Sequence, residues 1–82
     1  MTKDELREIT LKVIQDVADM DDPPELDPQK PIREQLPDID SMDFLDIVMG
    51  LRKKTKIQIP EADYGELVTL DSTVAYLAEH VK

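Results

Sequence analysis

Five of the six prolines, Pro23, Pro24, Pro28, Pro31 and Pro37, fall between Asp21 and Asp40. Proline donates no backbone N–H, and its ring drives the preceding residue out of the helical region, so no helix of ordinary length crosses this interval. The chain is therefore cut into a leading segment, a connection of about twenty residues and a C-terminal half. Apolar residues recur at helical spacing on both sides of the cut. With two glycines and no pair of alternating runs, the pattern predicts helices rather than a sheet.

Thr2-Lys3-Asp4-Glu5 has the form of a capping box, in which the Thr2 hydroxyl and the Glu5 carboxylate satisfy each other's backbone donors. Leu6, Ile9, Val13 and Val17 follow as a stripe, extended by Ile14 and Met20, and predict a first helix ending between Ala18 and Met20. Lys3, Arg7 and Lys12 lie on its outer face, within reach of carboxylates. In the proline interval, Leu26, Ile32 and Leu36 are the expected anchors.

Asp40 precedes a long apolar run, Ser41-Met42-Asp43-Phe44-Leu45-Asp46-Ile47-Val48-Met49-Gly50-Leu51, and its carboxylate can accept from the first free amides of a helix. This second helix is expected from Ser41 to about Lys54. Phe44, Ile47, Val48 and Leu51 share one sector, with Met42, Leu45 and Met49 in the next, so the helix is expected to touch more than one neighbour at the centre of the molecule. Gly50 is either a tolerated weakness or a place where another backbone comes close on the face bearing Met49. Ile57-Gln58-Ile59 is read as an extended link with both isoleucines buried. Pro60 to Tyr64 opens a third helix that Gly65 keeps short. Thr69 or Asp71 caps a last helix whose stripe is Val74, Leu77, Ala78 and Val81, with His80 near its negative end. The expectation is one all-α domain over residues 1–82, a small antiparallel bundle of three main helices plus one short helix, with a long first loop.

Nineteen acidic against ten basic residues give a net charge of −9, which repels phosphate backbones and argues against nucleic acid as a ligand. There is no Cys, so neither a disulfide nor a thiolate metal site is available, and one His cannot build a zinc site. Asp38-x-Asp40 and Asp19-x-Asp21 suggest calcium. An EF-hand loop, however, requires Gly at its sixth place and Glu at its twelfth, and those places hold Asp43 and Met49, or Pro24 and Lys30. No apolar run reaches membrane-spanning length, and Met1 to Glu5 is not a signal peptide, so a soluble cytoplasmic protein is expected; a monomer is the separate expectation for its assembly. Nor is a catalytic set visible: no base lies near Ser41 in sequence, and a hydroxyl without one is a poor nucleophile. If Ser41 reacts, another enzyme must activate it.

Acid-Ser-apolar at a helix start in Asp40-Ser41-Met42, followed by Ile47-Val48-Met49 and by Ile57-Gln58-Ile59-Pro60 in an acidic chain of this length, resembles the acyl carrier protein family from about Leu36 to Leu77. The resemblance implies a carrier, not an enzyme, with 4′-phosphopantetheine from coenzyme A attached to Ser41 as a phosphodiester and acyl chains held as thioesters. It implies a phosphopantetheinyl transferase as a partner, together with acyl-loading, condensing and acyltransferase enzymes of fatty-acid, lipid or polyketide-type synthesis. Asp40 would help the transferase recognise the site. Met42, Asp43, Leu45, Asp46 and Met49 would form the docking face, and Lys53 would enter it from the same side. The chain departs from the family pattern where Leu-Gly-x becomes Pro37-Asp38-Ile39, where Leu becomes Met42, and where late acids become Arg52-Lys53-Lys54. These departures point to a carrier specialised for one pathway, and the absence of the paired glycines argues against a peptidyl carrier.

Overall fold

A computed structural model describes residues 1–81. They form α1 (Lys3–Val17), α2 (Ile32–Gln35), α3 (Ser41–Thr55), a 3₁₀ helix (Glu61–Glu66) and α4 (Leu70–His80). The expected class holds, an all-α bundle of three main helices, but there are two short helices rather than one. Among the described residues no helix is long and apolar enough to cross a membrane.

The capping box on α1 is present: the Glu5 amide donates to Thr2 Oγ1 at 3.1 Å and the Thr2 amide to Glu5 Oε1 at the same distance. The Thr2 amide and hydroxyl, both donating to the Glu5 carboxylate, hold it below its ordinary pKa. Leu6, Val13 and Ile14 are buried as expected, and Thr10 joins them by donating to the Leu6 carbonyl at 2.8 Å. Met20 does not extend the stripe; it lies past the helix end and is exposed. Among the expected pairs on the outer face, Lys12 meets Asp16 at 3.3 Å in an exposed contact of little energetic weight.

The proline interval is more ordered than the sequence suggests. Ile32 is buried and starts the one-turn α2, and Pro24 and Ile39 are buried as well. The Gln35 side chain accepts from the Asp27 amide at 2.6 Å and donates to the Asp27 and Lys30 carbonyls at 2.9 and 3.1 Å, which closes the loop on itself. The Ile32 amide donates to the Val68 carbonyl and the Asp71 amide to that of Pro28, at 2.9 and 3.0 Å, pinning the loop to the start of α4. Prolines also lower the entropy of the unfolded loop, so fixing it costs less.

The hub of the bundle is α1, not α3. It packs along both α3 and α4, while those two make no comparable contact with each other. Gly50 explains part of this. A Cβ there would stand 2.7 Å from Val13 Cγ1, so the missing side chain lets α1 and α3 close together, and no outside backbone near Met49 is needed to account for it. Ile57 and Ile59 are buried on an extended link, as expected. Lys56 ends α3 in the left-handed conformation usually given to Gly. Thr69, rather than Asp71, caps α4, in a reciprocal box with Ser72. The 3₁₀ helix buries none of its own residues and is held to α4 by Tyr76 Oη, which donates to Asp63 Oδ2 at 2.7 Å. Burial, reinforced by that bond, pushes the Tyr76 hydroxyl up to about 12. The Tyr76 ring stacks on His80, whose Nδ1 donates to the Tyr76 carbonyl at 2.8 Å, near the helix end where the sequence placed it.

Candidate functional site

Ile39, buried between two acids, anchors the entry to α3 and fixes where the helix begins. The Asp43 amide donates to Asp40 Oδ1 at 2.9 Å and the Asp40 amide to Asp43 Oδ2 at 3.3 Å. Asp40 is thus the cap the sequence predicts, but Asp43 is a surprise: its carboxylate turns back to the cap as well as facing outward. A reciprocal box needs only a short acceptor three residues after the cap, so Asp-x-x-Asp was the available signal.

Ser41 occupies the first helical position and is exposed. Among the described residues no group bonds its hydroxyl, and neither its amide nor that of Met42 has an acceptor. Free amides at a helix start carry partial positive charge and suit a phosphate oxygen, so the local geometry fits a phosphodiester on Ser41. The other serine differs. Ser72 Oγ accepts from the Thr69 amide at 3.0 Å and donates to the Thr69 carbonyl at 3.1 Å, which commits it to the α4 cap.

From Ser41 the helix presents Met42, Leu45 and Met49 to solvent, 74%, 46% and 58% exposed, so they are not core. The expectation that this sector meets a second neighbour within the chain is not met. Asp46 and Lys53 are exposed on the same helix. Arg52 lies beside Met49, its Nη1 3.8 Å from the sulfur. Met49, Arg52, Lys53 and Lys56 edge one shallow groove. Around Asp38, Asp40, Asp43 and Asp46 no three His, Asp or Glu side chains converge to hold a metal ion, and none do elsewhere among the described residues.

Beneath α3 lies a cavity of about 380 Å³. Ile39, Phe44, Ile47, Val48 and Leu51 form its α3 side, Tyr64, Gly65, Leu67 and Val68 its far side. Thr10 and Thr73 close it from α1 and α4, and Ile32 and Arg33 reach it from α2. The Phe44 and Tyr64 rings meet edge to face, centroids 6.0 Å apart. Arg33, Gly65 and Val68 are the exposed members and mark where the cavity reaches solvent. Helical periodicity found the α3 wall and missed the far side, which is assembled from a link, a 3₁₀ turn and a cap.

Comparison with known proteins gives three findings. Residues 8–77 match the family model described as "Phosphopantetheine attachment site". A protein of Schizosaccharomyces pombe named as a mitochondrial acyl carrier protein is 27% identical over 70 residues, covering 85% of this chain and 62% of its own length. An acyl carrier protein of Rubrobacter xylanophilus is 30% identical over 59 residues, 72% of each chain.

Proposed function

The chain belongs to the acyl carrier protein family defined by a phosphopantetheine attachment site, and from that premise we propose that Ser41 bears the group and that residues 1–82 act as one carrier unit for acyl chains. The observation that carries this reading is the exposed, unbonded Ser41 hydroxyl at a capped helix start, while Ser72 is tied into its own cap. When bound, the group supplies a terminal thiol on a flexible arm for thioester formation. The chain has no Cys, so loading cannot go astray onto the protein.

Ser41 has no base of its own, which makes it a substrate rather than a catalyst. In the attachment step Ser41 Oγ bonds to the phosphorus bearing the pantetheine of coenzyme A. The bond from that phosphorus to the adenosine bisphosphate breaks, and the Ser41 proton passes to a base on the transferase. Asp40 holds the helix start in place for that encounter. The exposed apolar row Met42, Leu45, Met49, with Asp46 and part of Asp43 on one side and Lys53 at its end, serves as the docking face for transferase and synthase partners. Met side chains adapt to different partners. The mixed charge along α3 supports a carrier of one pathway: Lys53 repels an enzyme patch built only for carboxylates.

Mass spectrometry after incubation with coenzyme A and a transferase tests the assignment. The wild type gains one phosphopantetheine, and Ser41→Ala gains none while keeping its helical circular dichroism, because Asp40 and not Ser41 caps the helix. A modified Ser41→Ala protein would sink it. Fractionation of the source cells decides between the cytoplasmic expectation and the compartment in the fission-yeast relative's name.

A further inference from the structure

Taking that carrier reading as its ground, we infer that the cavity beneath α3 is built for an acyl chain bearing a carboxylate, which the Arg33 guanidinium receives at the rim. The protein has nineteen acidic residues, and none of them lines the cavity. Among the described residues the one charged side chain that does is that of Arg33. In a chain of net charge −9, this guanidinium has no carboxylate within 4.0 Å among the described residues and donates no hydrogen bond to them. The cavity mouth therefore carries a cation without an ion-pair partner among the described residues, on a negative molecule.

The interior polar groups say which end of the cavity takes the charge. The Thr10 and Thr73 hydroxyls donate to the Leu6 and Thr69 carbonyls at 2.8 and 2.7 Å, leaving only acceptor lone pairs toward the cavity. A carboxylate driven in against them would lose its water and gain no donor. At Arg33 it keeps solvent and gains a charge-assisted, two-pronged partner. The walls between are apolar apart from Tyr64, whose hydroxyl bonds none of the described residues and reaches solvent, and they suit methylenes. At ~30 Å³ per chain atom, the share of a water in liquid, the volume holds on the order of ten atoms. The simpler role for Arg33 is to cover apolar rim with its stem. A neutral side chain of similar length tells the two roles apart.

The experiment uses a transferase that accepts acylated coenzyme A to load Ser41 with an octanoyl chain or with the mono-thioester of suberate, its eight-carbon dicarboxylic counterpart. Loading is confirmed by mass, and melting temperatures are compared with the unacylated carrier for the wild type, Arg33→Met and Arg33→Lys. The wild type should melt higher with the suberoyl than with the octanoyl chain, by roughly 4 °C or more at low salt. Arg33→Met should reverse the order, Arg33→Lys should keep part of the difference, and the Arg33 side-chain N–H signals in NMR should move with the suberoyl chain alone. An octanoyl form as stable as the suberoyl form, or a preference unchanged in Arg33→Met, overturns the inference, as does the absence of any shift with either chain; attachment at Ser41 survives all three results. Failure to load the wild type at all removes the carrier reading and this inference with it.

Discussion

At Gly50 there is no room for a methyl group between α1 and α3, whereas Gly65, on the cavity's far side, has open space around it. Those two glycines mark two kinds of packing in one small molecule. Around α1 the side chains interlock: Leu6, Ile14 and Leu77 are completely buried, and α1 contacts both long helices. Between α3 and the 3₁₀ helix, the elements instead stand around a cavity, roofed by a segment that buries none of its own residues. The first region makes a fold of this size stable, since a small core has little surplus. The second gives up contacts and can in return admit a chain. A carrier needs both, and here they share the helix that starts at Ser41.

The largest expected effect comes from cutting the interlocked region. Leu6→Ala removes a fully buried side chain with no way for α1 to collapse, and should cost roughly 3–5 kcal/mol. Ile39→Val, in the cavity wall, should fall at the low end of the usual ~0.5–1.5 kcal/mol for that change, because the wall already borders empty space. Urea unfolding of both variants measures the contrast. Equal losses, after allowing for the atoms removed, would mean that the two regions are packed alike.

The roof of the cavity is joined to α4 by Tyr76 and Asp63, and that join has a pH signature. The Tyr76 hydroxyl titrates near 12 in the folded protein, raised from its ordinary value of 10.0 by burial and by the bond to Asp63. A raised pKa favours the fold while the hydroxyl keeps its proton. The contribution is complete below pH 10 and is lost as the pH climbs from about 10 to about 12, by up to roughly 2–3 kcal/mol. Tyr76→Phe should lose about 1 kcal/mol at neutral pH. It should also lack this part of the alkaline fall, read as the wild-type minus variant difference so that lysines and Tyr64 cancel.

Gly50→Ala tests the tight side at the scale of one methyl. Helix propensity alone favours Ala by about 1 kcal/mol. The contact with Val13 Cγ1 at 2.7 Å forces α1 and α3 apart or Val13 off its rotamer, at about 1–3 kcal/mol. The net expectation is a loss of about 1 kcal/mol. Val13→Ala should make room, so the double variant should be more stable than the sum of the two single losses predicts.

These regions were not equally legible in the sequence. Caps and stripes are local, and Thr2, Asp40 and the buried row Ile47, Val48, Leu51 could be read from spacing alone, while the last cap was narrowed only to Thr69 or Asp71. By periodicity the exposed row Met42, Leu45, Met49 was visible as apolar but not as solvent-facing, because periodicity reports which residues share a face and not whether anything covers it; only the family resemblance marked it as a docking face. The central place of α1 was hidden for a related reason: it depends on Gly50, whose meaning lies in a partner thirty-seven positions away at Val13. The cavity was the least legible part. Arg33, Tyr64, Val68 and Thr73 come from four segments with no common period, and only the fold gathers them. The order of the proline interval rests on Gln35, a polar side chain that gives no pattern signal at all.

Gly65→Ala should have the smallest effect, with the opposite sign from Gly50→Ala. Its backbone φ is not in the left-handed region, and a Cβ there meets no atom within 4 Å. The native state therefore tolerates the methyl without strain. The unfolded chain loses freedom, which should stabilise the protein by about 0.4–1 kcal/mol and raise its melting temperature by a few degrees. A loss of stability would mean that the roof is packed as tightly as the α1–α3 contact. Gly65 lines the cavity rim, and a methyl there does not touch Ser41. Attachment of phosphopantetheine should thus proceed at the wild-type rate, while any gain in melting temperature on acyl loading should shrink, because part of the space the chain would fill is already taken.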